Sequence, residues 1–240
     1  LQIFFGGSSS GKSFFLAQRC ILDMLEGKRN YLIVRNVRAT IKNTTFNEIK
    51  KAIFATTGGR YFTINNSDLT ITCTLNNKQI MFAGLDDVEK LKSVTPINGV
   101  VTDIWIEEAT ETAYESYKQL RKRLRGKASV KKRVILSFNP ILKTHWIFTE
   151  FFGGWVDSKN YYTDDLLTIR KTTYKDNMFL EEDDIAELEN ETDPYFYDVY
   201  TLGNWGVLGK VIFKNWSVED LSVLKKSADK LKLGLDWGFS

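Results

Sequence analysis

The stretch Gly6-Gly7-Ser8-Ser9-Ser10-Gly11-Lys12-Ser13 constrains this chain more than any other. It reads as a glycine, four residues and then Gly-Lys-Ser. An apolar run (Leu1, Ile3, Phe4, Phe5) precedes it, and apolar residues at helical spacing (Phe14, Ala17, Ile21, Met24, Leu25) follow. Several backbone N–H groups can converge on one anion only if the loop curls tightly, and glycine permits the dihedrals this needs. The helix that opens behind the loop adds the positive end of its dipole. In such a pattern the lysine reaches the β- and γ-phosphates and the serine hydroxyl ligates Mg2+. Residues 6–13 are therefore expected to bind ATP with Mg2+, with Lys12 and Ser13 in those two roles.

The remaining pattern places that loop in an α/β fold. Buried strands are expected at 1–5, 31–35, 99–106 and 134–138, and helices over 12–26, 40–55 and 112–125. Alternation over 69–75, the Asn76-Asn77 pair and the run 78–83 mark a hairpin. Strands alternating with helices predict a mainly parallel P-loop NTPase sheet flanked by helices. Beyond residue 165 acidic and aromatic residues mix. The expectation is an ATPase core over 1–165 and a small helical linker or lid subdomain over 166–231. Both ends read as interrupted strands, as in a piece of a longer protein.

Composition narrows the rest. Cys20 and Cys73 are far from each other and from the only histidine, His145, so no zinc spacing exists. Such thiols read as reduced, cytosolic and structural. No apolar run approaches the roughly 18 residues of a membrane span. A net charge of +3 permits a polyanionic partner without demanding one.

Hydrolysis needs a carboxylate near Mg2+ and a group that orients water. The strand ending at Ile106 delivers Glu107 and Glu108 to the carboxyl edge of the sheet, where ligands bind in such folds. Alternation turns neighbouring side chains to opposite faces, which assigns Glu107 to the metal and Glu108 to the water. Asp103, mid-strand, is a weaker alternative for the metal. Ser137 and Asn139 end the next core strand, where they either sense the γ-phosphate or simply close the strand with Pro140. Charge developing on that phosphate asks for an arginine, in cis or trans, and Arg35, Arg121, Arg123 and Arg125 are the candidates. With Lys127, Lys131, Lys132 and Arg133, the last three also form a basic segment suited to a DNA backbone. His145 has no nucleophile beside it and reads as structural.

In this order the P-loop, Trp105-Ile-Glu-Glu-Ala109, Leu136-Ser-Phe-Asn-Pro140 and Thr144-His-Trp146 resemble the large terminase subunits of tailed bacteriophages. Tyr162-Thr-Asp-Asp165, Thr173-Tyr-Lys-Asp-Asn177, Gly203-Asn-Trp-Gly206 and Gly234-Leu-Asp-Trp-Gly238 extend the resemblance over nearly the whole chain. The resemblance implies the additional-strand, catalytic-glutamate class of P-loop ATPase, working in the host cytoplasm to translocate double-stranded DNA into a procapsid. It implies a homo-oligomeric ring, a portal protein and a small terminase subunit as partners, and a coupling role for Ser137 to Asn139. Asp236 would match the first metal-binding aspartate of a ribonuclease-H-like nuclease beginning over 232–240, which uses two divalent metals, Mg2+ or Mn2+. Two departures stand out. Many members carry an arginine near the position of Ser8 or Ser9, and the adenine-contacting segment expected before the first strand is missing. Other functional readings are a helicase-like P-loop ATPase or a slow, nucleotide-regulated assembly switch.

Overall fold

The structure is a computed structural model that describes residues 1–87, 91 and 94–206. Its first strand, β1 (Gln2–Gly6), is flanked by parallel neighbours on both sides, as its unbroken apolar run requires. Along the chain follow α1 (Lys12–Leu25), β2 (Tyr31–Arg35), α2 (Arg38–Ile41), α3 (Thr45–Thr57), β3 (Phe62–Asn65), β4 (Thr70–Cys73) and β5 (Gln79–Gly84). Then come β6 (Asp103–Glu107), α4 (Tyr114–Arg121), β7 (Arg133–Phe138), α5 (Trp146–Phe151), β8 (Tyr161–Thr163), β9 (Thr168–Thr172), α6 (Glu182–Glu189) and α7 (Pro194–Phe196).

The described residues carry one nine-stranded sheet in the order β3-β4-β5-β2-β6-β7-β1-β9-β8. From β5 to β9 the strands are parallel, while β3, β4 and β8 join the margins through antiparallel pairings. One strand, β7, stands between the loop-bearing β1 and the acidic β6. This is the inserted strand that the resemblance implied.

Each central strand is buried on both faces, and alternation assigns its residues to two layers. Ile33, Trp105 and Ile135 meet α1 and α3 through Leu16, Ile21, Phe46 and Ile53. Val34, Ile106, Leu136 and Phe138 meet α4, α5 and Trp205 on the opposite face. Glu107 and Ser137, two positions after Trp105 and Ile135, are therefore in phase with the α1 side. Their registers match, since Glu107 pairs with Ser137.

Several expectations change in detail. The helix expected over 40–55 is two helices, because Thr44 leaves the helical conformation at φ −113° and ψ −105°, its hydroxyl donating back to Thr40 O at 2.8 Å. The helix expected over 112–125 shortens to α4 behind a 3-10 turn, Ala109–Glu111. The strand expected from Gly99 begins only at Asp103. The short edge strand β3 was not anticipated; its residues are half-exposed and lack a long apolar run. The boundary expected at 165/166 falls inside the β8–β9 hairpin, and β9 pairs with β1 along its whole length. The sheet core thus continues to Thr172. Behind it lie α6, α7 and a π-helical turn, Tyr197–Thr201. Asp236 and the segment 232–240 lie outside the described residues.

Candidate nucleotide site

The loop leaving β1 turns on its glycines and on Ser9, which is left-handed at φ 55°. Gly6 has φ 145°, and a Cβ there would fall 1.7 Å from the Thr172 carbonyl oxygen of β9. Gly11, at φ 78°, is the left-handed residue from which α1 starts. The Gly7 N–H donates to Thr172 O at 3.1 Å and the Ser8 N–H to Tyr200 O at 2.6 Å. These bonds fix the outer wall of the loop. The N–H groups of Ser9, Ser10 and Gly11 find no acceptor among the described residues, so an anion is free to take them.

Lys12 folds back across the loop. Its Nζ shares its three protons among Gly7 O at 2.7 Å, Gly6 O at 3.2 Å, Ser10 Oγ at 3.0 Å and Asn139 Oδ1 at 3.0 Å. Burial lowers its pKa to about 8, an effect that the Glu108 charge opposes. Asn139 also donates through Nδ2 to Ser8 Oγ at 3.3 Å. The turn that ends β7 is therefore hydrogen-bonded both to the lysine and to the loop.

Glu107 is the buried last residue of β6. Ser13 Oγ donates to its Oε1 at 3.0 Å, and Thr45 Oγ1 donates to its Oε2. Hydroxyl and carboxylate oxygens at that separation form a hard donor pair of the kind Mg2+ shares with phosphate oxygens. Thr45 opens α3 and was not among the residues singled out from the sequence. A threonine at a helix start carries no signal of what it faces.

Glu108 does not continue the strand. Its backbone is left-handed, at φ 50° and ψ 50°, an uncommon state for a residue with a Cβ. Strand alternation was the expected device for separating the two carboxylates; the turn does it instead. Glu108 lines the same cleft of about 320 Å³ as Ser8 to Phe14, Glu107, Ser137 and Asn139. Its pKa is raised by burial first and by the neighbouring Glu107 second, while Arg35 and Lys12 pull it down.

The other candidates separate by position. Arg35 ends β2, one position beyond the Val34–Ile106 pair, and its side chain has no hydrogen bond or ion pair among the described residues. It is the candidate arginine whose charge reaches Glu108. Arg121 rests over the Tyr117 ring and acts on the Leu1 amine at the start of β1, the edge away from the loop. Arg123 donates to Val94 O at 2.6 Å, and Arg125 lies beyond the end of α4. Asp103 is a correction. It is the first residue of β6, fully buried, and its oxygens are taken by Arg29 at 3.0 Å, by Arg133 and by Thr102. A carboxylate so occupied at the far edge of the sheet is not positioned for this metal.

Ser137 Oγ accepts the buried Trp105 indole N–H at 2.7 Å, which leaves its own proton for the cleft. His145 caps α5: Nδ1 accepts from Ile147 N at 3.2 Å, and Nε2 pairs with Thr110 O at 3.1 Å. It is structural, as expected. From the far side, Asn177 donates to Ser9 O at 2.8 Å, and Gly203 packs so closely that its Cβ would lie 2.5 Å from Gly7 N. Both residues fall in stretches that carried the resemblance, Thr173–Asn177 and Gly203–Gly206, but no local pattern said what they face, because each contact depends on how the chain returns after β9.

Comparison with known proteins identifies the family. The sequence model of the phage terminase large subunit matches residues 1–204. The chain is 31% identical over 257 residues to the PBSX phage terminase large subunit of Bacillus subtilis (strain 168), covering 99% of this chain and 58% of that protein. It is 28% identical to the large terminase subunit of Bacillus phage SPP1, covering 98% of this chain and 56% of that protein. The chain thus spans a little over half the length of these relatives. Among solved structures, the large terminase of a thermophilic bacteriophage superposes with a TM-score of 0.68 at 18% identity, over 85% of this chain and 48% of that one. That protein has also been solved in complex with ADP and with ATP-γ-S. With the P-loop, the paired glutamates and the inserted strand in place, and with a family match over residues 1–204, this chain belongs to the phage terminase large subunit family.

Proposed function

We propose that this chain is the ATP-hydrolysing motor portion of a large terminase, which drives double-stranded viral DNA into a procapsid. One observation carries the reading: Lys12, Glu107 and Glu108 line a single cleft at the carboxyl edge of the sheet. The free N–H groups of Ser9 to Gly11 and the start of α1 receive the triphosphate oxygens. Ser13 and Glu107 are the residues that would hold Mg2+, which when bound neutralises charge on the β- and γ-oxygens. Glu108, with its raised pKa, accepts the proton of the attacking water. Arg35 is placed to set the charge on Glu108 or to meet the γ-phosphate in cis. Arg121, Arg123 and Arg125 are left to act from one subunit on the next, or on DNA. Ser137 and Asn139 couple phosphate release to motion, because Asn139 shares its amide between Lys12 and Ser8.

The remaining assignments belong to the same proposal. A homo-oligomeric ring engages the portal protein, and a small terminase subunit delivers DNA, all in the host cytoplasm. Asp236 supplies one ligand to a two-metal nuclease, Mg2+ or Mn2+, whose other ligands lie elsewhere in a longer protein. The support is the family, the cleft and the mildly basic charge. No helix among the described residues is long and apolar enough to cross a membrane. The test is steady-state ATPase activity with linear double-stranded DNA and portal-bearing procapsids. Stimulation by both is expected. Turnover indifferent to DNA would favour an assembly switch and remove the motor reading.

A further inference from the structure

The phosphate cleft has a direction, and that direction leaves a place for the nucleobase. Its γ-phosphate end is marked by Glu107, Glu108 and Asn139, which come from β6 and β7 on one side of β1. The nucleoside must then leave on the other side, past the start of α1 and toward the chain emerging from β9. There the Asn177 side chain donates to Ser9 O at 2.8 Å, and its amide lies 3.9–4.0 Å from where a Gly11 Cβ would stand. Asn177 is held from behind as well, since its Oδ1 accepts from Phe179 N at 3.2 Å. The two residues after this anchor are Met178 and Phe179, which are 86% and 81% exposed. A thioether and an aromatic ring left in water beside a phosphate loop are offering a flat apolar surface. Asn177 fixes where that surface stands relative to the loop.

We propose that Met178 and Phe179 form the platform on which the purine base of the bound nucleotide packs, with Asn177 as the residue that positions it. Stacking on an exposed aromatic ring tolerates any purine, so the platform adds affinity for a nucleoside over bare phosphate without itself choosing adenine. The inference rests on the nucleotide-site reading given above.

The test separates the two. Binding of ATP, ADP, GTP and inorganic tripolyphosphate is measured on the chain and on Met178→Ala, Phe179→Ala and the double variant, with Lys12→Ala as the reference. The platform predicts that the double variant loses about tenfold in affinity for ATP, ADP and GTP alike while binding tripolyphosphate as before. Lys12→Ala should lose all four. Unchanged ATP affinity in the double variant overturns the platform, as does an equal loss for ATP and tripolyphosphate, which would mark a disturbed loop. Wild-type protein that binds neither ATP nor tripolyphosphate would instead sink the nucleotide site itself. Both side chains are exposed, so the substitutions leave the core intact.

Discussion

The Ser13 hydroxyl and the Glu107 carboxylate, 94 positions apart in sequence, lie 3.0 Å from each other. The first residues of α1 and the end of β6 meet because β7 alone separates β1 from β6, and all three strands run parallel. The P-loop and the acidic pair thus emerge at one edge of the sheet.

Glu108→Gln keeps the size of the side chain and removes its basicity. ATPase turnover is expected to fall by roughly 10²- to 10⁴-fold, the usual worth of a general base. Nucleotide binding, read by fluorescence titration, should persist. Lys12→Ala should lose binding as well as turnover. Normal hydrolysis by Glu108→Gln would overturn the role assigned to that carboxylate.

The pH profile tests Arg35. Glu108 works as a base only when ionised, and its pKa is raised, so activity should fail on the acid side above the ordinary carboxylate range. Arg35 pulls that pKa down. Arg35→Gln should therefore move the acid limb of the rate profile to higher pH, and Arg35→Lys should move it less. An acid limb unmoved by Arg35→Gln would separate the two groups.

Burial lowers the Lys12 pKa to about 8. Its positive charge is present below that value and lost above it. Affinity for ATP is accordingly expected to weaken as pH rises beyond about 8, less so once phosphate stabilises the ammonium. Equilibrium titrations from roughly pH 7 to 9.5 on wild type and Lys12→Arg check this, since the arginine should flatten the dependence.

Ser137→Ala and Asn139→Ala should part company. The first strands the Trp105 indole N–H in a fully buried layer, at a cost of about 1–3 kcal/mol in unfolding free energy. The second removes one of several partners of Lys12 at the cleft, so stability should hold while ATPase activity drops. Chemical denaturation and turnover assays on both variants measure the split.

Asp103→Ala removes the fully buried carboxylate that Arg29 and Arg133 share and leaves them Asp23 alone. Breaking a buried pair of this kind costs about 3–5 kcal/mol. Unfolding should shift strongly, whereas the Mg2+ dependence of ATP binding in the surviving folded protein should not. A changed Mg2+ requirement would return Asp103 to the metal site.

Much of this was legible from local pattern. Glycine spacing marked the loop, helical periodicity marked α1, and four apolar runs marked β1, β2, β6 and β7. These signals are local because dihedral freedom and side-chain period act over a few residues. The extent of the sheet was less legible. β3 is too short and half-exposed to stand out, and β9 begins just after the texture changes.

The sequence by itself determined that a glycine-rich P-loop sits between a buried strand and a helix, with two glutamates at the end of another strand. Only the tertiary structure decided that Glu108 turns left-handed into the cleft and that Thr45 binds Glu107. It alone placed Arg35 near the site and Asp103 at the opposite edge. Strand order and register are set by long-range packing and hydrogen bonding. No window of the chain encodes which distant residue will lie beside it.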